Sequence, residues 1–168
     1  MRNEKYDTAA IGKVTLRVSG ALNKTHNGHA DFDVLELNGD VLELSSAKVW
    51  VINMRDEWIK TFSFQLSLST LGHGNITQPV PGSYPIGLGS HRGTPVFSAS
   101  YSHIVNDDIL HIDEYDTLHR GSGKLIIETA NDRKVSGSFM FTAHGHDDSS
   151  ISSAIIEISG EFTAGKAV

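Results

Sequence analysis

The chain has 168 residues, a formal net charge of -6 and no cysteine. That length suits one domain with a real core and is too short for two ordinary ones. The missing thiols exclude disulfides, thiolate metal sites and cysteine nucleophiles, and a negative chain with no lysine or arginine cluster lacks the positive field that phosphate backbones require, so no nucleic-acid partner is expected.

No run approaches the ~18 apolar residues of a membrane helix, and Met1 to Lys5 is polar where a secretory leader would be apolar. No membrane insertion is expected. As written the chain reads as cytoplasmic, with an exported location expected only if a leader precedes it, and the compartment stays open.

Residues 1–12 carry little apolar material and are expected to form an N-terminal arm, leaving 13–168 as a single β-domain. From Lys13 a period of two begins, with Val14, Leu16, Val18, Gly20 and Leu22 on one face and Thr15, Arg17 and Ser19 on the other. Asn23 to Gly28 reads as a turn, which puts His26 and His29 at a hairpin tip, and Ala30, Phe32 and Val34 alternate with Asp31 and Asp33 beyond it. Asn38-Gly39-Asp40 is a tight-turn signal, followed by a strand candidate at Val41 to Leu44. Lys48 to Arg55 is apolar on both faces through Val49, Trp50, Val51, Ile52 and Met54, as expected of a central strand or one covered by a partner. Ile59 to Thr70 alternates cleanly, with Phe62, Phe64, Leu66 and Leu68 inward.

Residues 71–95 hold all four prolines and form a long Pro/Gly-rich loop, within which Pro81 to Gly87 reads as a short edge strand. Phe97, Ala99, Tyr101, His103 and Val105 alternate with serines, and Ile109 to Ile112 returns after Asn106-Asp107-Asp108. Three strands close the chain after Gly121. Val135, Gly137, Phe139, Phe141 and Ala143 share the inner face of one, and Ile156, Ile158, Gly160 and Phe162 that of the last. The strings V-S-G-A-L, V-S-G-S-F and I-S-G-E-F place Gly20, Gly137 and Gly160 inward, where a missing side chain admits a bend or an aromatic ring. No stretch of twelve residues has a 3.6 period, which excludes βαβ topology and its nucleotide sites. The fold class is all-β: an antiparallel meander barrel (calycin-like) or a two-sheet β-sandwich of ~ten strands.

The strings P-G-S-Y-P-I-G, S-G-K-L-I-I-E-T, V-S-G-S-F-M-F-T-A and I-S-G-E-F-T-A, within Pro81 to Ala164, resemble a group of uncharacterised bacterial small β-domains, many exported or lipid-anchored. The resemblance implies a compact antiparallel β-fold and brings no activity with it. The leader and the lipid-accepting cysteine of the exported members are missing from this sequence.

Chemistry-bearing residues fall into three groups. His144 and His146 leave one face of an extended backbone, with Asp147 next, a spacing that suits a divalent metal. His91-Arg92-Gly93 and His119-Arg120-Gly121 each precede a strand, and if their loops met, Arg92, Arg120, His91 and His119 would bind a carboxylate or phosphate. Tyr101 and His103 share an inward face, where an imidazole needs a partner or a role in acid–base chemistry. No G-x-S-x-G, H-E-x-x-H or Walker string occurs. The leading expectation is therefore a non-enzymatic β-domain that binds a protein partner or self-assembles, on the strength of Val49 to Met54. The alternative is a barrel for a small apolar ligand, of the cyclase or isomerase kind, with Tyr101 and His103 in the lumen. The third is a metal-dependent hydrolase at His144 and His146. No cofactor is expected apart from that metal.

Overall fold

The computed structural model describes residues 12–37, 47–56, 64–70, 80–87, 96–106, 111–146 and 151–167, the side chains of 35–37, 47–49 and 106 excepted. Ten strands run through these residues. They are β1 (Gly12–Gly20), β2 (Lys24–Leu37), β3 (Ala47–Asp56), β4 (Phe64–Thr70), β5 (Gly82–Gly87), β6 (Phe97–Asn106), β7 (His111–Asp116), β8 (Ser122–Ala130), β9 (Lys134–Gly145) and β10 (Ile155–Lys166). Among the described residues there is no helix long and apolar enough to cross a membrane.

One sheet contains all ten, and its pairings run from β1 through β2, β3, β4, β6, β5, β8, β9 and β10 back to β1. The sheet is closed on itself. A single cluster of buried side chains fills its interior, so of the two architectures the alternation allows, the barrel is the one formed. Among the described residues, closure pairs most strands on both sides, which leaves little open edge for another chain.

The barrel is not a pure antiparallel meander. β4 passes over β5 to pair with β6, and β5 lies between β6 and β8. Short parallel contacts close two seams: Ile86 opposite Phe97, and Gly165 with Lys166 opposite Asp31 and Phe32 where β1 has run out. At the other end β7 bridges β6 and β9, with Tyr115 and Asp116 opposite Gly145 and His144.

The inward rows follow the period of two. Val135, Gly137, Phe139, Phe141 and Ala143 are all buried, as are Ile156, Ile158 and Phe162. Each large apolar side chain so buried is worth about 1.5–3 kcal/mol. Gly160 lies inward for a steric reason: a Cβ there would meet Thr15 O at 2.5 Å and Phe139 Cζ at 2.8 Å, so the ring occupies the space a side chain would need.

Several expectations are corrected. Pro81 to Gly87 is not an edge strand: β5 pairs with β8 along its whole length, and only its β6 side, held by one residue pair, is nearly free. Gly20 is exposed, and its φ of +105° makes the β1–β2 turn, where the Asn23 amide donates to Gly20 O at 3.3 Å. That turn is shorter than the sequence implies, because Lys24 to Ala30 already pair with Val18 to Gly12. Val105 is 53% exposed, since a register shift between Ile104 and Asn106 breaks the alternation. The arm at 1–11, the strand candidate at 41–44 and most of the loop at 71–95 lie outside the described residues.

Candidate functional site

Where β2 begins, β3 ends, β4 begins, β6 ends and β7 begins, the inner face of the barrel stops being hydrocarbon. The register fixes which residues meet. Phe64 is opposite His103, Leu66 opposite Tyr101, Tyr101 opposite Tyr115 and His103 opposite Asp113. Leu16 is opposite His26, Val18 opposite Lys24, and Gly28 opposite Asp56. Period-two alternation then turns Lys24, His26, Asp56, Tyr101, His103, Asp113 and Tyr115 toward the same mouth.

The inner layer is His26 and Tyr101, 6% and 0% exposed. His26 Nε2 and the Tyr101 hydroxyl are 2.8 Å apart. The hydroxyl donates to Nε2 in one neutral tautomer and accepts from it in the other. The imidazole stacks on Phe64 with centroids 4.3 Å apart and planes at 21°, so its orientation is set on two sides. Burial lowers the His26 pKa from 6.5 to about 4, aided by His103 and Lys24 and opposed by Asp56. Burial likewise raises the Tyr101 pKa, with Tyr115 and Asp56 adding to it. Both groups are therefore uncharged near neutral pH.

The outer layer is His103, half-buried, with its centroid 6.3 Å from that of His26. Burial, then Lys24, lowers its pKa, while Asp113 and Asp56 oppose the shift. Its Nδ1 is buried, with no hydrogen-bond partner among the described residues. Tyr115, buried and tilted against Tyr101 at 6.1 Å, has a pKa raised by burial and then by Asp113. At the rim His111 Nε2 lies 3.1 Å from Asp113 Oδ1.

Tyr101 and His103 thus stand together on the inner wall, as expected from their shared face. His26, expected at a solvated hairpin tip, is the residue sequence reasoning missed, and His29 on the same strand has the opposite parity and faces outward. The signal that could have found it is the period itself, since His26 is in phase with Ala30 and Phe32.

The remaining candidates gather on the outer wall. His119 and Arg120, from the β7–β8 turn, line a recess of ≈ 20 Å³ with His144, Asp116, Gly145 and Ser152. That is room for about one water molecule. His146 Nδ1 is 4.0 Å from Asp116 Oδ2. His144 and His146 do share a face, but among the described residues no three histidine or carboxylate side chains are placed to hold a metal. Asp147, His91 and Arg92 lie outside the described residues, so the meeting of the two His-Arg-Gly loops is not seen. Open clefts elsewhere include one of ≈ 380 Å³ on the outer face of β1, β10, β9 and β8, lined by Lys13, Glu128 and Glu161 among others.

Fold and site together define a closed β-barrel, hydrocarbon-filled along its axis and ionisable at one mouth. No family model, curated protein or solved structure matches the chain.

Proposed function

We propose that this protein is a small-molecule-binding β-barrel whose ligand enters at the His26–Tyr101–His103 mouth. The observation that carries the reading is the buried His26–Tyr101 hydrogen bond with a second imidazole beside it whose Nδ1 has no partner among the described residues. An interior that needed only stability would fill these positions with hydrocarbon, because buried polar groups cost free energy unless every one is paired. Such convergent polar groups at the end of an apolar barrel are the usual construction of a ligand site.

The chemistry open to these groups is proton transfer. A half-buried, neutral His103 can take a proton from one ligand atom and return it to another, while the fully buried Tyr101 holds His26 behind it. An isomerisation or ring closure of that kind needs no oxidant and leaves no net change in atoms.

The alternative of partner binding or self-assembly rested on the two-faced strand Val49 to Met54. Trp50, Ile52 and Met54 are buried within their own chain, so that motive now rests on half-buried Val51, Val49 having an undescribed side chain. Exposed Ile126 and Met140, at 41% and 58%, are diagonal neighbours on β8 and β9, a pair well short of the apolar patch of a stable interface.

The test is a survey of small molecules followed by imidazole NMR of the intact chain. Ligands that bind should move the His26 and His103 resonances and lose affinity in His103→Ala. Binders that move neither, and are unaffected by that substitution, would refute the reading.

A further inference from the structure

Positive charge collects on one side of the mouth. At the β1–β2 turn an open cleft of ≈ 310 Å³ is lined by Arg17, Val18, Asn23, Lys24 and Thr25, a volume at the lower end of the range for small-molecule sites. Strand register brings its two cations together. Arg17 lies opposite Thr25 on β2 and Ser159 on β10, whose short hydroxyl side chains leave the guanidinium uncovered, and Lys24 lies opposite Val18. The carboxylate nearest in register, Glu157, stands opposite Ser19, on the diagonal from Arg17. Both cations are exposed, and among the described residues neither makes an ion pair.

Lys24 ties this cleft to the mouth. It lies two residues before His26 on β2, so both side chains leave the same face of the strand. Its charge reaches both imidazoles. After burial it is the largest influence on His103, ahead of Asp113 and Asp56, and it acts on His26 behind Asp56 and His103. The planar fork of Arg17 matches a carboxylate with two parallel hydrogen bonds, and Lys24 adds a point charge beside it. A chain with a net charge of -6 repels polyanions, which restricts the match to a small acid.

Resting on the binding reading above, we infer that the ligand of this mouth is a small organic acid, its carboxylate held in the cleft by Arg17 and Lys24 and the rest of the molecule laid against His103.

Benzoate, benzamide and benzylammonium share nearly one shape and differ in charge. The intact chain is titrated with each at pH 8, where ordinary imidazoles are uncharged and attract no anion. The resonances followed are the backbone amides of Arg17, Lys24 and Thr25 and the rings of His26 and His103. Benzoate should move the amides and the His103 ring together, with affinity about tenfold above that of benzamide, the order that two exposed charge pairs supply, and falling as salt is added. The pair Arg17→Gln and Lys24→Gln should bring benzoate to the level of benzamide, while Lys134→Gln, at an exposed position where β9 begins, should leave it unchanged. Should the double variant not fold, the charge series and the salt titration of the unaltered chain carry the same information. Benzamide or benzylammonium binding at His103 as tightly as benzoate would overturn the acid inference and leave the mouth standing as a site. Benzoate that moved the cleft amides and neither imidazole would overturn it as well. If none of the three moves either imidazole, the site reading falls and this inference with it.

Discussion

Placing His26 inside the barrel carries a measurable consequence for stability. The folded protein holds this imidazole at a pKa of about 4, against an ordinary 6.5 in the unfolded chain. The unfolded state therefore binds the extra proton first. Above pH 6.5 both states are neutral and stability is insensitive to this group. Between pH 6.5 and 4 the unfolded state is progressively favoured, and below 4 the full difference has been lost. Two and a half pKa units at 1.36 kcal/mol each amount to about 3 kcal/mol, a large share of the 5–15 kcal/mol expected of a domain. Since carboxylates also titrate in this range, the quantity to measure is a difference. Urea unfolding of the native chain and of His26→Gln, at pH 7, 5.5 and 4, should give curves that converge as the pH falls, because the substitution removes the titration. Parallel curves, within about 0.5 kcal/mol across the range, would refute a buried neutral His26.

Other substitutions test the same structure by different routes. Tyr101→Phe removes the partner of His26 Nε2 where water has no access, and should cost about 1–3 kcal/mol in urea unfolding; a loss under 0.3 kcal/mol would mean that the hydrogen bond is absent. Thr117→Val should cost a similar amount, because the fully buried Thr117 Oγ1 accepts from Ala99 N at 2.9 Å and that donor would be left unpaired. Gly160→Val should destabilise by roughly 1–3 kcal/mol or prevent folding, since Phe139, Leu16 and the Thr15 carbonyl already fill the space. Met140→Lys should change stability by less than about 0.5 kcal/mol, and sedimentation should find the same mass with and without it.

Much of this barrel is legible in its side-chain rhythm. The inner faces of β1, β9 and β10 follow from alternation, and so does the pairing of Tyr101 with His103 on one wall. What escaped are features decided by distant strands. Pro81 to Gly87 carries two prolines and reads as an edge, yet ring closure sets it against β8. The order of β4, β6 and β5 depends on which strand lies beside which, and no local period records that. His26 escaped for a different reason. Lys24-Thr25-His26-Asn27-Gly28 has polar residues on both faces, so its inward positions look like a turn. Sites break the hydrophobic alternation at the places where they place chemistry, and here the break concealed the best-buried histidine of the mouth.

The account rests on the proximity of His26 to Phe64 and Tyr101, three residues from three strands. A ¹H–¹H NOE spectrum of the intact chain measures it directly. With ring centroids 4.3 Å apart for His26 and Phe64 and 6.0 Å for His26 and Tyr101, strong cross-peaks are predicted from the His26 ring to Phe64 and weaker ones to Tyr101. A His26 ring showing cross-peaks to Thr25 and Asn27 alone, with the solvent exchange of an open turn, would contradict it.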